Sequence, residues 1–371
     1  MLRVAHVVEC FAAGTAHFIN LLTQYTSCEH IVIHGERADE LSAEIVKSKF
    51  PKGTKFIHWQ NVQREIRPIK DYRALTELIS ILKNLPEVDI VHLHSSKAGF
   101  LGRAACRLLG FNNVIYTPNG ASFARADISS FKKSLYVLLE KIAAKMSGQV
   151  VCCSHSESLS FKDIGIASTY INNGTILPNT ALDNINFPIS EADNTFTIVT
   201  CGRVTEQKNP NLFNRIAAYY EEQHRVKFVW IGEGTSEQKA LLKANNIYLT
   251  GWLPKNEVDH IISRADLYIS TSLWEGLPFS VLEALSLGKC LLLTNCVGNV
   301  DLVQEAHNGY TFDKAEEAIA RIDWFLQNRE ALQIMGQKSM KLSADKFDIR
   351  KVSKLYQELY SKLSAPKSMD N

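Results

Sequence analysis

Apolar residues in this chain fall into short runs separated by amphipathic stretches, in a regular alternation. Val4 to Val8, Ile31 to Ile33, Phe56 to Trp59, Asp89 to His94, Val114 to Thr117 and Val150 to Ser154 are brief apolar runs that read as strands. After the first comes Ala12-Ala13-Gly14-Thr15, then Phe18, Ile19, Leu21 and Leu22 at helical spacing. A second helical pattern covers about Tyr72 to Leu85 and stops before Pro86. A third follows Ser95-Ser96-Lys97-Ala98-Gly99 and runs through Arg107, and Tyr170 to Gly174 ends this half. Residues 175–194, TILPNTALDNINFPISEADN, break the pattern with two prolines and four asparagines and read as an interdomain linker. A second alternation follows, with strands at Thr197–Cys201, Val226–Ile231, Ile247–Leu249, Leu267–Ser270 and Leu291–Thr294. Strands alternating with helices predict an α/β fold of parallel sheets covered on both faces. Two such halves predict two facing Rossmann-like domains, residues 1–174 and 195–345, with a cleft between them. Residues 346–371 read as a C-terminal helix with a basic-polar side, which can pack back on the first domain.

One stretch, Ala265 to Gly288, organises the second half. A strand ends in the loop Trp274-Glu275-Gly276-Leu277-Pro278, and a helix follows from about Ser280 to Leu287 and stops at Gly288. It places the carboxylates of Glu275 and Glu283 beside backbone amides at a helix start, where a phosphate is favoured. Three other strands of this half end in loops of the same kind. Gly202-Arg203 is followed by Lys208 and Asn209-Pro210, Gly232-Glu233-Gly234 ends a second strand, and Gly251-Trp252 a third. Each loop alone is equally a plain turn. Parallel strands put all four along one sheet edge, where α/β sheets bind ligands. Carboxylates for hydroxyls, cations and amides for phosphate together suit a nucleotide sugar.

Composition changes this picture little. The chain has 371 residues, 46% of them hydrophobic, with a formal net charge of +2, so the overall charge gives no case for nucleic acid. Residues 1–174 carry a net +5 and the remainder −3, which tilts the first half toward an anionic surface or ligand. Phe131 to Met146 is amphipathic, with Leu135, Tyr136, Leu138, Leu139, Ile142 and Ala143 against Lys132, Lys133, Lys141 and Lys145. It reads either as a core helix with a solvated basic face or as a peripheral contact with an anionic membrane. Eight cysteines without a Cys-x-x-Cys pair suggest a reduced, cytoplasmic interior and no zinc site. Arg3 and His6 interrupt any signal-peptide core, and no apolar run has the length of a membrane span.

The segment Glu275-Gly276-Leu277-Pro278-Phe279-Ser280-Val281-Leu282-Glu283-Ala284 resembles the E-x7-E signature of the family 4 glycosyltransferases, which have the GT-B fold. The resemblance extends through Gly202-Arg203, Lys208-Asn209-Pro210, Gly232-Glu233-Gly234, Gly251 and Asn308-Gly309. In the first half it takes in Val91 to Gly99, Tyr116-Thr117-Pro118 and Ile171 to Gly174. It implies that Arg203 and Lys208 hold the donor diphosphate and that Glu275 contacts the donor sugar. Glu283 would take ribose hydroxyls, and the stretch Gly276, Leu277, Pro278 and Phe279 would hold sugar and phosphate through its backbone amides, Pro278 having no N–H to give. Gly202, Gly232, Gly234, Gly251 and Trp252 would line the nucleotide site, with Gly14 close to the phosphates from the first domain. It implies retention of anomeric configuration and no metal or other cofactor; no Asp-x-Asp occurs. The nucleotide sugar, a UDP-sugar in preference to a GDP-sugar, is then a co-substrate. The acceptor would be a lipid-linked glycan of a surface polysaccharide such as O-antigen, capsule or exopolysaccharide, met at the inner face of the cell membrane.

The chain departs from the family pattern twice. The first turn, Ala12-Ala13-Gly14, has one glycine where relatives have more. Asn119 stands where many relatives carry a histidine, and an amide cannot act as acid or base near neutral pH. In the front-face picture the leaving phosphate takes the acceptor's proton, so Asn119 remains compatible with transfer. His94 is the other acceptor-side candidate, alongside its reading as a satisfied strand-end histidine. Two further readings stand beside the transferase. One is a non-catalytic sugar-nucleotide-binding subunit on the same fold. The other is a glycoside hydrolase using Glu275 and Glu283 as an acid/base pair.

Overall fold

The computed structural model describes residues 1–9, 11–36, 42–178, 195–223 and 225–365. The chain divides into two compact units. The first holds Met1–Asn173 together with the C-terminal helix Ile349–Ser364, and the second holds Gly174–Asp348. Most of the expected linker, residues 179–194, lies outside the described residues.

In the first unit the strands are β1 (Leu2–Val8), β2 (Cys28–His34), β3 (Lys55–His58), β4 (Ile90–His94), β5 (Val114–Thr117), β6 (Gln149–Cys152) and β7 (Ser168–Tyr170). They form one parallel sheet in the order β3-β2-β1-β4-β5-β6-β7. In the second unit they are β8 (Phe196–Cys201), β9 (Val226–Ile231), β10 (Ile247–Leu249), β11 (Leu267–Ser270), β12 (Cys290–Thr294) and β13 (Gly309–Phe312). These are also parallel, in the order β10-β9-β8-β11-β12-β13. Both sheets therefore reverse strand order once, between β1 and β4 and between β8 and β11. That reversal opens a crevice at the strand C-termini, the usual ligand position in a doubly wound sheet. Each sheet has its own apolar core, around Val7, Leu93 and Tyr116 in the first and Ile198, Phe213 and Trp230 in the second.

Some elements differ from the pattern-based expectation. β7 and β13 are not among the expected strands, because Ser168-Thr169-Tyr170 is three residues with little burial and Gly309-Tyr310-Thr311-Phe312 is short and opens on a glycine. The helix expected from Tyr72 starts at Pro68, where proline suits the first helical position. The helix Ser130–Ala144 packs Tyr136, Val137 and Ala144 against the first core but leaves part of its apolar side open. Glu140 and Ala143 are its buried residues, whereas Phe131 is 78% exposed and Leu138 and Ile142 are also open. A buried polar contact anchors it as well. Glu140 pairs with the buried Arg103 at 2.6 Å and accepts from the Tyr116 hydroxyl at 2.8 Å. The Arg103 guanidinium also lies over the Tyr116 ring.

One face of the first sheet buries five histidines: His34 lies against Phe11, and His6, His30, His92 and His94 form a connected cluster. In register, His6 sits opposite His92, His30 opposite Val4 and His94 opposite Val8. The Thr26 hydroxyl donates to the Leu22 carbonyl at 2.7 Å, so its oxygen accepts from His30 Nε2–H at 3.0 Å. His30 Nδ1 then accepts from His6 Nε2–H, and His6 Nδ1 from His94 Nε2–H, each at 3.0 Å. His92 bonds Tyr360 of the C-terminal helix at 2.8 Å and Thr117 at 2.9 Å. Burial holds all four clustered histidines below the ordinary histidine range, helped in His6, His92 and His94 by their neighbours' charge; His30 lies at about 4 and His92 at about 3.

These imidazoles stay neutral in the folded chain and take up protons only when it unfolds. Their stabilising contribution is complete above about pH 6.5 and is lost as pH falls toward the folded values of about 4 and 3. Each such histidine removes about 1.4 kcal/mol of stability per pH unit within that window. Urea melts from neutral pH downward should show a falling midpoint, and His30→Gln should flatten the slope. A midpoint that does not move with pH would contradict a neutral buried cluster.

Candidate active site

The second unit's reversal point is built from the loops after β8 and β11. The β8 loop leaves the sheet at Gly202, passes Arg203 and the buried Val204, and makes a short 3-10 turn over Glu206–Lys208. Asn209 ends it in the left-handed region at φ 51 and caps the helix Pro210–Ala218, its side chain accepting from Leu212 N at 3.2 Å. Gly202 N donates to Ile231 O at 2.9 Å and Val204 N to Glu233 O at 2.8 Å, which ties the loop to the end of β9. Gly232, at φ 147, is required there: a Cβ would lie 2.1 Å from the Gly202 carbonyl oxygen.

The β11 loop docks on the first. Thr271 Oγ1 donates to the Lys208 carbonyl at 2.7 Å, and Leu273 N donates to Gln207 O at 2.8 Å. Gln207 Nε2 donates to Trp274 O at 2.9 Å and to Glu275 Oε2 at 3.3 Å. Lys208 Nζ donates to Glu275 Oε1 at 2.7 Å. The Glu275 carboxylate is buried, so removing this ammonium would leave a charge in a poorly solvated place. Arg203 is exposed on the same loop. From the other side the loop after β12 presses in at Gly298, φ 84, where a Cβ would lie 2.5 Å from the Gly276 carbonyl oxygen. The buried Asn299 holds that loop, donating to Thr294 O at 3.2 Å.

Gly276, Leu277 and Pro278 are buried, and Phe279 opens the helix Phe279–Ser286, which carries Glu283. Burial pushes the Glu283 carboxyl up, opposed by Lys255 Nζ at 3.5 Å. Gly251 bridges Gly232, so the β9 and β10 ends also meet, and Trp252 stands exposed beside them. Gly234 packs against Val204. The structure thus gathers Gly202, Lys208, Glu275 and Gly276 into one contact network, joined at its edge by Gly232, Gly234 and Gly251.

The first-unit candidates are placed separately. Gly14 is exposed in the first turn of the helix Ala13–Tyr25, which has no side-chain N-cap. Asn119 follows β5 at φ 55, a conformation asparagine tolerates better than most residues. Its neighbour Gly120 donates to the buried Glu157 at 2.7 Å. His94 is fully buried at the end of the histidine chain, and its Nδ1 has no hydrogen-bond partner. Among the described residues, His6, His92 and His94 are the one His/Cys/Asp/Glu trio offering ligand atoms within 4.8 Å of one another. Each ring already bonds a neighbour, so the group is a hydrogen-bond network, which sequence spacing across two strands could not reveal.

Gln207, Lys255, Thr271, Gly298 and Asn299 were not anticipated. Gly298 had a visible signal, a lone glycine just past a strand. Lys255 had one in its i,i+4 pairing with Asp259.

Residues 17–177 match the family described as Glycosyltransferase Family 4, and residues 183–342 match Glycosyl transferases group 1. The chain is 31% identical over 325 residues to the UDP-Gal:alpha-D-GlcNAc-diphosphoundecaprenol alpha-1,3-galactosyltransferase of Escherichia coli, covering 80% of this chain and 81% of that one. It is 21% identical over 358 residues to the N,N'-diacetylbacillosaminyl-diphospho-undecaprenol alpha-1,3-N-acetylgalactosaminyltransferase of Campylobacter jejuni, covering 88% and 92%. In fold it resembles Anabaena HepE in complex with UDP and glucose, with a TM-score of 0.77 at 14% identity over 98% of this chain and 100% of that one.

Gly298→Ala tests how tightly the loops are packed. A methyl group at a left-handed φ and against the Gly276 carbonyl should cost about 1–3 kcal/mol. Denaturant melts should show that loss; an unchanged midpoint would mean that the Gly276 loop yields freely.

Proposed function

The chain belongs to the family 4 glycosyltransferases, and from that premise we propose that it transfers a sugar with retention from a UDP-sugar to a lipid-linked glycan in the assembly of a surface polysaccharide. The observation that carries this reading is the Lys208–Glu275 pair at the strand-order reversal, with Arg203 on the same loop. The names of the two bacterial relatives support the acceptor class, since both state a diphosphate-linked undecaprenol sugar, and one states a UDP-sugar donor.

In this reading Arg203 and Lys208 take the diphosphate charge that grows as the bond to the anomeric carbon breaks, and no metal is needed. Lys208 then serves two anions, Glu275 and the phosphate. Glu275 accepts from a donor-sugar hydroxyl, and the amides of Gly276, Leu277 and Phe279 hold sugar and phosphate. Glu283 takes the ribose hydroxyls, and Gly251-Trp252 line the base. The acceptor hydroxyl bonds the anomeric carbon on the face the phosphate leaves, and its proton passes to that phosphate. Gly14, His94 and Asn119 remain the candidates on the first unit.

Transfer from UDP- and GDP-sugars to a diphosphate-linked lipid glycan tests the reaction. Arg203→Ala and Glu275→Ala should each cut turnover by about 10²–10³. If both variants keep full turnover, the site assignment is wrong; UDP binding without turnover on any acceptor would favour the non-catalytic reading.

The acceptor's lipid carrier also gives the open face of the helix Ser130–Ala144 a role. Phe131, Leu138 and Ile142 are exposed beside the exposed Lys132, Lys133, Lys141 and Lys145, a composition suited to an anionic bilayer surface. No helix among the described residues is long and apolar enough to cross a membrane. Sedimentation with anionic vesicles should therefore be salt-sensitive and should be lost in Phe131→Ser/Leu138→Ser; equal binding to neutral vesicles would oppose the reading.

A further inference from the structure

Glu283 is the carboxylate on which nucleoside recognition rests in the proposed function. It projects from the helix Phe279–Ser286 with only 15% of its side chain exposed. Among the described residues the one cation within ion-pair distance is Lys255, at 3.5 Å, the first residue of the helix Lys255–Arg264. The same ammonium also contacts Asp259, one turn along its own helix. Lys255 therefore joins two carboxylates on different helices, one of them largely shielded from water.

We infer that Lys255 is a positioning residue for this site: held between Asp259 and Glu283, its ammonium keeps the Glu283 carboxylate charged and in place for the ribose diol. The inference rests on the proposed role of Glu283. An ionised carboxylate offers two acceptor oxygens to two hydroxyls, and charge strengthens both bonds. A protonated carboxyl would place one hydrogen where the diol needs an acceptor. Burial favours that protonated form, and Lys255 opposes it, while the nearby Asp259 charge works with burial. Among the described residues, Cys201 at the end of β8 and Tyr268 on β11 also feel the Glu283 charge, and Lys208, whose charge reaches Cys201, is paired with Glu275. Burial pushes the Cys201 thiol up to about 12 and the Tyr268 hydroxyl higher still, so both stay uncharged through the neutral range. The charges that act on Glu283 beside its burial are thus Lys255 and Asp259. Lys255 is itself 56% exposed, which limits its effect through solvent screening.

Calorimetric titration with UDP across about pH 5 to 8 tests this. Lys255→Met should weaken UDP binding roughly two- to five-fold at the acid end and much less at the alkaline end, where Glu283 ionises unaided. Lys255→Arg should restore the wild-type profile. Asp259→Asn should move the profile the other way, with tighter binding at the acid end. A uniform loss across pH in Lys255→Met, or an unmoved profile in both Lys255→Met and Asp259→Asn, would overturn the inference. Glu283→Gln separates the two levels of the reading. If it binds UDP like the wild type, the assigned role of Glu283 fails. If it binds weakly while the Lys255 and Asp259 variants leave the pH profile unmoved, only the positioning role fails. Thermal melts of each variant establish that it is folded.

Discussion

The hydrogen bond between Lys208 and the buried Glu275 is the constraint around which the second unit's sheet edge is arranged. A carboxylate shielded from water needs a counter-charge and donors close by. The sequence supplies them from a loop 67 residues earlier, so the β8 and β11 loops must meet. Their meeting in turn requires bare backbone where neighbouring loops press in. Gly232 against Gly202, and Gly298 against Gly276, are glycines for this reason. Thr271 and Asn299 then fasten the loop backbones, so that a charged pair, and not an apolar plug, closes the reversal point.

The first unit uses the same strand order but a different internal chemistry. Its face under the C-terminal helix is filled by uncharged imidazoles that satisfy one another, ordered in one direction by the Thr26 hydroxyl. Such a network has a single free lone pair at its end, on His94 Nδ1. A buried acceptor without a donor costs less than an orphaned N–H, so this polarity is the less costly of the two.

Much of this architecture is legible in the sequence. The apolar runs locate nearly all the strands, because a parallel strand buried on both faces has little choice but to be apolar. β7 and β13 escaped because a three-residue, mostly exposed edge strand has no apolar run and four residues beginning with glycine look like a turn. The candidate site was legible as a set of strand-end loops, and the family signature assigned its roles. Its connectivity was not: nothing in local spacing says that Lys208 lands on Glu275, or that Lys255 reaches Glu283. The same holds for the histidines, each of which reads alone as an unremarkable strand residue. The helix Ser130–Ala144 shows the converse limit. Its amphipathicity was plain, but only tertiary structure shows that it is anchored through Glu140 and leaves Phe131 open.

The helix Ile349–Ser364 sets the order in which the chain can be completed during synthesis. Tyr356 and Tyr360 cover the histidine face of a sheet whose strands all lie before Asn173, and Gln357 accepts from Ser27 N at 2.8 Å. Domains generally fold as they emerge, the N-terminal one first. Here the first domain to leave the ribosome is the last to be finished. Its sheet waits, with one face covered only in part, while all of Gly174–Asp348 is made. A nascent or truncated chain ending before Ile349 thus leaves Phe18 and His92 without the tyrosine rings that pack on them in the finished fold.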